Sequence, residues 1–142
     1  MADNPFVGTW AYRSLYNDPD LSKSFNDLQL GYGLIVIDDG PELLLTGTIG
    51  YAPDNWSLNL HGSRSYGSPA QVRFQGKGVV SGSEWIYDYI GWLVPVWPSS
   101  NEVLQKPSIV GSVTRTIPHP SGNGSISPAG VVGSFYAVKV DR

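Results

Sequence analysis

Phe6-Val7-Gly8-Thr9-Trp10-Ala11-Tyr12-Arg13-Ser14 alternates: Phe6, Gly8, Trp10 and Tyr12 fall on one side of an extended chain, and Arg13 on the other. Successive side chains of a strand point to opposite faces, so this run reads as a half-buried β-strand over 6–14. Seven more such runs follow, at 28–38, 42–51, 55–65, 69–80, 84–97, 107–117 and 130–140. β-Branched and aromatic residues dominate them, and no segment carries a convincing helical period. The links Asp38-Asp39-Gly40-Pro41, Ala52-Pro53-Asp54, Tyr66-Gly67-Ser68 and Ser81-Gly82-Ser83 are short and turn-like. Glycine supplies positive φ there, proline fixes φ, and Asx side chains bond their own backbone. Short links make hairpins, so strands adjacent in sequence should pair antiparallel. Eight strands in up-and-down order can close, which removes both exposed edges. The sequence therefore predicts an all-β fold, a single eight-stranded antiparallel up-and-down β-barrel over residues 1–142. A β-sandwich of the same strands is the alternative.

Composition narrows the function classes. A net charge of −3 with no basic stripe argues against a nucleic-acid partner. The absence of cysteine excludes disulfides, thiolate metal sites and a cysteine nucleophile. His61 and His119 are the only histidines, and the acids lie mostly in turns, so no metal site is expected and each histidine reads as satisfied or exposed. No glycine-rich stretch precedes a helix, so no phosphate loop and no cofactor is implied. The longest apolar stretch, Trp85 to Trp97, is broken by Asp88, Gly91 and Pro95 and does not read as a membrane span. The start, Met1-Ala2-Asp3-Asn4-Pro5, has no cationic and apolar leader, so a soluble cytoplasmic protein is expected.

Alternation assigns an interior. Trp56, Leu58, Leu60, Gly62 and Arg64 share one parity, as do Val72, Phe74, Gly76, Gly78 and Val80, and Ile109, Gly111, Val113, Arg115 and Ile117. The same reasoning sends Leu28, Leu30, Tyr32, Leu34 and Val36 inward, and Leu43, Leu45, Gly47, Ile49 and Tyr51. Near the end of the chain, Lys139 argues that Tyr136, Val138 and Val140 face in. The run 84–97 is apolar on both sides: Trp85, Tyr87, Tyr89 and Leu93 on one, Ile86, Ile90, Trp92 and Val94 on the other. A half-solvated strand has no need of that, so the outer side needs a cover. A homo-oligomer interface through 84–97 is the favoured cover, and the link 98–106 is the alternative.

The longer links 15–27 and 118–129 share one end of an up-and-down barrel, which we term the mouth. The lumen is then lined by Tyr12, Tyr32, Tyr51, Trp56, Trp85, Tyr87, Arg115 and Tyr136, with Trp10 and Arg64 at the closed end. Arg64 is expected to stack on Trp10 and to bond the last carbonyls of that end. No carboxylate is assigned inside, and a buried arginine without one calls for an anionic or strongly accepting partner. Arg115 thus suits an acidic oxygen of a ligand, unless its parity is off by one or it reaches solvent at the strand end. The aromatic wall suits an apolar or conjugated body. Two functions follow: a module that binds a small hydrophobic ligand with an acidic or phenolic group, or a barrel enzyme of cyclase, isomerase or lyase type. An interaction protein working through 84–97 is the third.

Gly8-Thr9-Trp10 near the chain start, followed by eight antiparallel strands, resembles the calycin superfamily of lipocalins, fatty-acid-binding proteins and avidins. Leu45-Thr46-Gly47-Thr48 resembles the third strand of avidins in particular. The resemblance implies a barrel closed at one end, Trp10 plugging that end, and a ligand entering from the other. The chain departs from avidins two positions past the tryptophan, where Tyr12 stands in place of a small polar residue. In shape it is also similar to the barrels of allene oxide cyclases and dirigent-type proteins, which implies the cyclase alternative.

Overall fold

The computed structural model describes residues 4–94, 96 and 105–140. Eight strands form the barrel: β1 (Gly8–Tyr16), β2 (Gln29–Asp39), β3 (Leu44–Tyr51), β4 (Trp56–Ser65), β5 (Gln71–Val80), β6 (Ser83–Val94), β7 (Ser108–Arg115) and β10 (Val132–Lys139). Between β7 and β10 lies a miniature hairpin, β8 (His119–Pro120) with β9 (Ile126–Ser127). Every barrel strand pairs antiparallel with its neighbour in sequence, and β10 closes on β1. The predicted up-and-down barrel is therefore what the chain forms. Trp97 and most of the link 98–106 fall outside the described residues.

Glycine lets the sheet curl. Gly111 sits opposite Gly91, and a Cβ on it would run into the backbone carbonyl of Ile90. Gly47 stands in the same relation to the carbonyl of Val36. Only a residue without a side chain allows strands to approach this closely at a barrel corner.

The closed end is plugged by Phe6 and Trp10, both wholly buried. The Trp10 indole N–H donates to the Phe6 carbonyl at 2.9 Å. The cation over the Trp10 ring is Lys139, at 5.8 Å, and not Arg64. Arg64 is buried at the same end, but its guanidinium lies 5.4 Å from the ring centre of Tyr66. Tyr66 lies in the turn after β4, and the Arg64 Nε is buried without a hydrogen-bond partner, so that atom bonds none of the end carbonyls.

Two strands face opposite to the alternation reading. On β2, Ile35 and Ile37 are buried, while Tyr32, Leu34 and Val36 are exposed. Leu34-Ile35-Val36-Ile37 is apolar at every position, so its own pattern cannot choose a face. The ladder chooses: Ile35 lies directly opposite Trp10, and opposed residues share a face. Closer to the mouth, the β1–β2 register steps from Ser14 opposite Gly31 to Leu15 opposite Gln29. This bulge leaves Leu30 unpaired and flips the parity, so Leu30 packs inward although Tyr32 does not. On β10, Phe135 and Ala137 are buried, whereas Tyr136 is 39% exposed and Val140 is exposed. Lys139 does share the inner parity; as the last residue of the strand it lies over the plug with its ammonium at the barrel end. Leu43 precedes β3 in the turn and is exposed.

Candidate functional site

The mouth end is not filled. A cavity of about 210 Å³ opens there, walled by Tyr12 and Ser14 of β1, Gln29, Leu30, Gly31 and Tyr32 of β2, Asp54 of the turn before β4, Trp56 and Leu58 of β4, Trp85, Tyr87 and Tyr89 of β6, and Val113 of β7. Each of these strands runs to or from the mouth, so its mouth-proximal inward residues meet here. The aromatic wall is built from two groups: Trp56 and Trp85 have ring centres 6.2 Å apart, and Tyr12 meets Tyr89 edge-on at 6.1 Å. Offset and edge-on pairs of this kind hold one another in place. The hydroxyl of Tyr12 interacts with those of Ser14 and Tyr89, which gives the apolar wall a polar floor.

A hydrogen-bonded chain stands beside the cavity. The Arg115 Nε–H donates to Tyr87 Oη at 2.9 Å, and Tyr87 Oη lies 2.7 Å from His119 Nε2. His119 Nδ1 lies 2.9 Å from the Pro120 carbonyl. His119 is buried and stacks on Trp85 at 4.1 Å with a 17° tilt. Arg115 Nη1 reaches the Pro128 carbonyl at 3.2 Å, and the backbone of Arg115 bonds Gly130 and Val131. Its guanidinium lies 5.7 Å from the Tyr87 ring centre and also interacts with the hydroxyl of Tyr16. Arg115 therefore fastens the link 116–131 across the mouth. Among the described residues the ion pairs are Lys23–Asp18 and Lys77–Glu84, and neither includes Arg115.

Burial pushes the hydroxyls of Tyr12, Tyr87 and Tyr89 above the usual phenol range, so all three stay protonated. For Tyr87 the nearby Arg115 opposes that shift without cancelling it. Burial also lowers the pKa of His119, the charge of Arg115 adds to the lowering, and the Pro120 carbonyl opposes it. His119 is thus neutral near pH 7.

A pH dependence follows. A free histidine titrates near pH 6.5, and folded His119 titrates below that. Between those values the unfolded chain binds more protons, so stability falls as pH drops below about 6.5 and is level above it. The carboxylates of Asp18, Asp20 and Asp39 are held below their usual range and titrate under this window. Urea midpoints are expected to fall between pH 7 and pH 5, and His119→Phe should remove most of that fall. A fall of the same size in the variant would show another group at work.

The structure separates the site residues expected from sequence. Tyr12, Trp56, Trp85 and Tyr87 meet on the cavity wall. Tyr32 also borders the cavity, but at its exposed rim, with its hydroxyl donating to Asp54 at 3.1 Å. Tyr51 leaves the lumen and packs against Tyr32 at 5.0 Å, along an outer groove that includes Arg13 and Leu34. Tyr136 points outward from β10 for the parity reason given above. Arg115 is interior, yet neither it nor His119 lines the cavity; both reach it through the Tyr87 hydroxyl. His119 is the residue that alternation cannot find, because it lies in a link with no period. Its flanking prolines, Pro118 and Pro120, are the available signal, since proline favours extended backbone in the residue before it. His61 is exposed on β4. Among the described residues no three metal-binding side chains converge, and no helix is long and apolar enough to cross a membrane.

No family model matches the chain, and no curated protein or solved structure matches it. The closed eight-stranded antiparallel barrel is consistent with a calycin-like fold on its architecture.

Proposed function

We propose that this protein is a cytoplasmic calycin-like barrel that holds a small, largely apolar aromatic molecule, bearing an acidic or phenolic group, in its mouth cavity. The observation that carries this reading is the unfilled space of about 210 Å³ between aromatic walls, next to a fixed set of hydroxyls. A barrel serving only as a scaffold gains stability by filling such space, because interiors pack close to crystal density. Trp56 and Trp85 supply contact area, and Tyr12 and Tyr87 supply polar contacts. The reading is tested on protein purified from its native host, denatured and extracted for mass spectrometry. A stoichiometric aromatic small molecule supports it. An empty extract, together with no calorimetric binding of 2-naphthol or 2-naphthoate, overturns it.

A barrel enzyme of cyclase, isomerase or lyase type is the second reading. The pairing of Tyr87 with neutral His119 favours it, because the pair joins a proton donor to a proton acceptor beside the cavity. Turnover of the extracted molecule separates the two.

We also propose that two copies meet on the outer face of β6. Trp92, Val110 and Tyr136 lie directly opposite one another across β6, β7 and β10, and each is at least 39% exposed. A contiguous apolar row of this kind is usually occupied. Trp92→Asp should shift the protein toward monomer in sedimentation, and a wild-type monomer at tens of micromolar would refute the interface.

A further inference from the structure

The direction of the hydrogen bonds at the mouth narrows the chemistry of the ligand, and this inference rests on the ligand-binding reading above. The Pro120 carbonyl can only accept, so His119 Nδ1, at 2.9 Å from it, carries the proton of the neutral ring. His119 Nε2 is then a bare lone pair, and at 2.7 Å it takes the proton of Tyr87. The Arg115 Nε–H occupies one of the two lone pairs on Tyr87 Oη. A phenolic oxygen has one proton and two lone pairs, so a single lone pair remains. Where the Tyr87 hydroxyl meets the cavity it can therefore accept and not donate.

Arg115 does not restore a donor, because none of its five N–H groups lines the cavity: Nε–H goes to Tyr87, an Nη1 N–H goes to the Pro128 carbonyl, and the guanidinium also meets Tyr16. On the cavity floor, the Tyr12 hydroxyl engages those of Ser14 and Tyr89, and the Ser14 hydroxyl donates to the Gly31 carbonyl at 3.4 Å. A carboxylate placed against Tyr87 would meet lone pair with lone pair, and the Asp54 carboxylate on the same lining adds a like charge.

We propose that the cavity selects a neutral aromatic ligand that donates a hydrogen bond to Tyr87 Oη, from a phenolic O–H or an aryl N–H, and discriminates against the matching carboxylate. His119 is the positioning residue: it sets the direction of the Tyr87 proton without touching the ligand.

Calorimetry at neutral pH with 2-naphthol, 2-methoxynaphthalene and 2-naphthoate tests this. The three share an aromatic body and differ in what they present to Tyr87. The naphthol should bind at least about tenfold more tightly than the ether or the carboxylate, the worth of one buried hydrogen bond. His119→Phe keeps a ring over Trp85 but removes the acceptor, which frees the Tyr87 proton to turn toward the cavity. The preference for naphthol over the ether should then shrink to within about threefold. His119→Gln, whose amide oxygen can accept that proton, should keep the preference. Near-UV circular dichroism checks that the variants fold, and the wild-type comparison decides the question if His119→Phe does not. Equal wild-type binding of ether and naphthol, tighter binding of naphthoate, or a full preference surviving in a folded His119→Phe would each overturn the inference. Failure of all three probes to bind wild type is a different result: together with an empty native extract it overturns the ligand-binding reading itself, and with a filled extract it overturns this inference alone.

Discussion

Trp10→Ala is expected to lower the stability of the barrel by about 3–5 kcal/mol, the range for truncating a large aromatic in a packed core. Trp10 is wholly buried at the closed end, and its indole N–H is the donor to the Phe6 carbonyl. Removing the ring leaves three deficits. The Phe6 carbonyl loses a buried partner, Lys139 loses the aromatic face beneath it, and Ile35, directly opposite on β2, loses its cross-strand neighbour. A closed barrel has little freedom to collapse into the resulting void, because each strand is held by ladders on both sides. Urea melts provide the measurement. A loss under about 1 kcal/mol would show that Phe6 and the turns seal that end without the indole.

The parts of the fold that are legible in the sequence are those where pattern and burial agree. β4, β5 and β7 alternate between apolar and polar residues, and their buried sets match that alternation from Leu58 to Val113. Turn-sized links then leave antiparallel hairpins as the natural connection. β2 is illegible because Leu34 to Ile37 is apolar on both faces, so only its pairing with β1 sets the register. A one-residue bulge at Leu30 adds a parity change that no period of two contains. On β10 a single lysine at the strand end argues against the face that Phe135 favours, although a long side chain at a barrel end can satisfy its charge from an inward position. The same logic divides the site. Tyr12 and Trp56 lie on strands that alternate, and Trp85 and Tyr87 share the face of β6 opposite Asp88, so their meeting can be foreseen. His119 enters from a link and joins them through tertiary packing alone. The interior place of Arg115 is legible, but its partners are not, because Pro128 and Val131 lie beyond the strand that carries it.

Arg115→Met should therefore act first on the mouth link and only then on a ligand. Methionine keeps much of the volume and removes every donor. Tyr87 Oη and the Pro128 carbonyl each lose a hydrogen bond from a charged group, and such bonds contribute about 1.5–3 kcal/mol apiece before partial compensation by water. A net loss of about 2–4 kcal/mol is expected in denaturant melts, with hydrogen exchange accelerating most over 116–131, where the backbone bonds of Arg115 to Gly130 and Val131 also lie. The effect on binding distinguishes two roles for the guanidinium. A fork that gripped an anion directly would make the variant lose 2-naphthoate and keep 2-naphthol. A guanidinium that acts behind Tyr87 holds the phenolic oxygen in place for any occupant, so both probes should weaken, within about threefold of each other. The second outcome is expected, because Tyr87 lines the cavity and Arg115 does not. A loss confined to the carboxylate would place Arg115 in direct contact with the ligand and return the acidic class to first place.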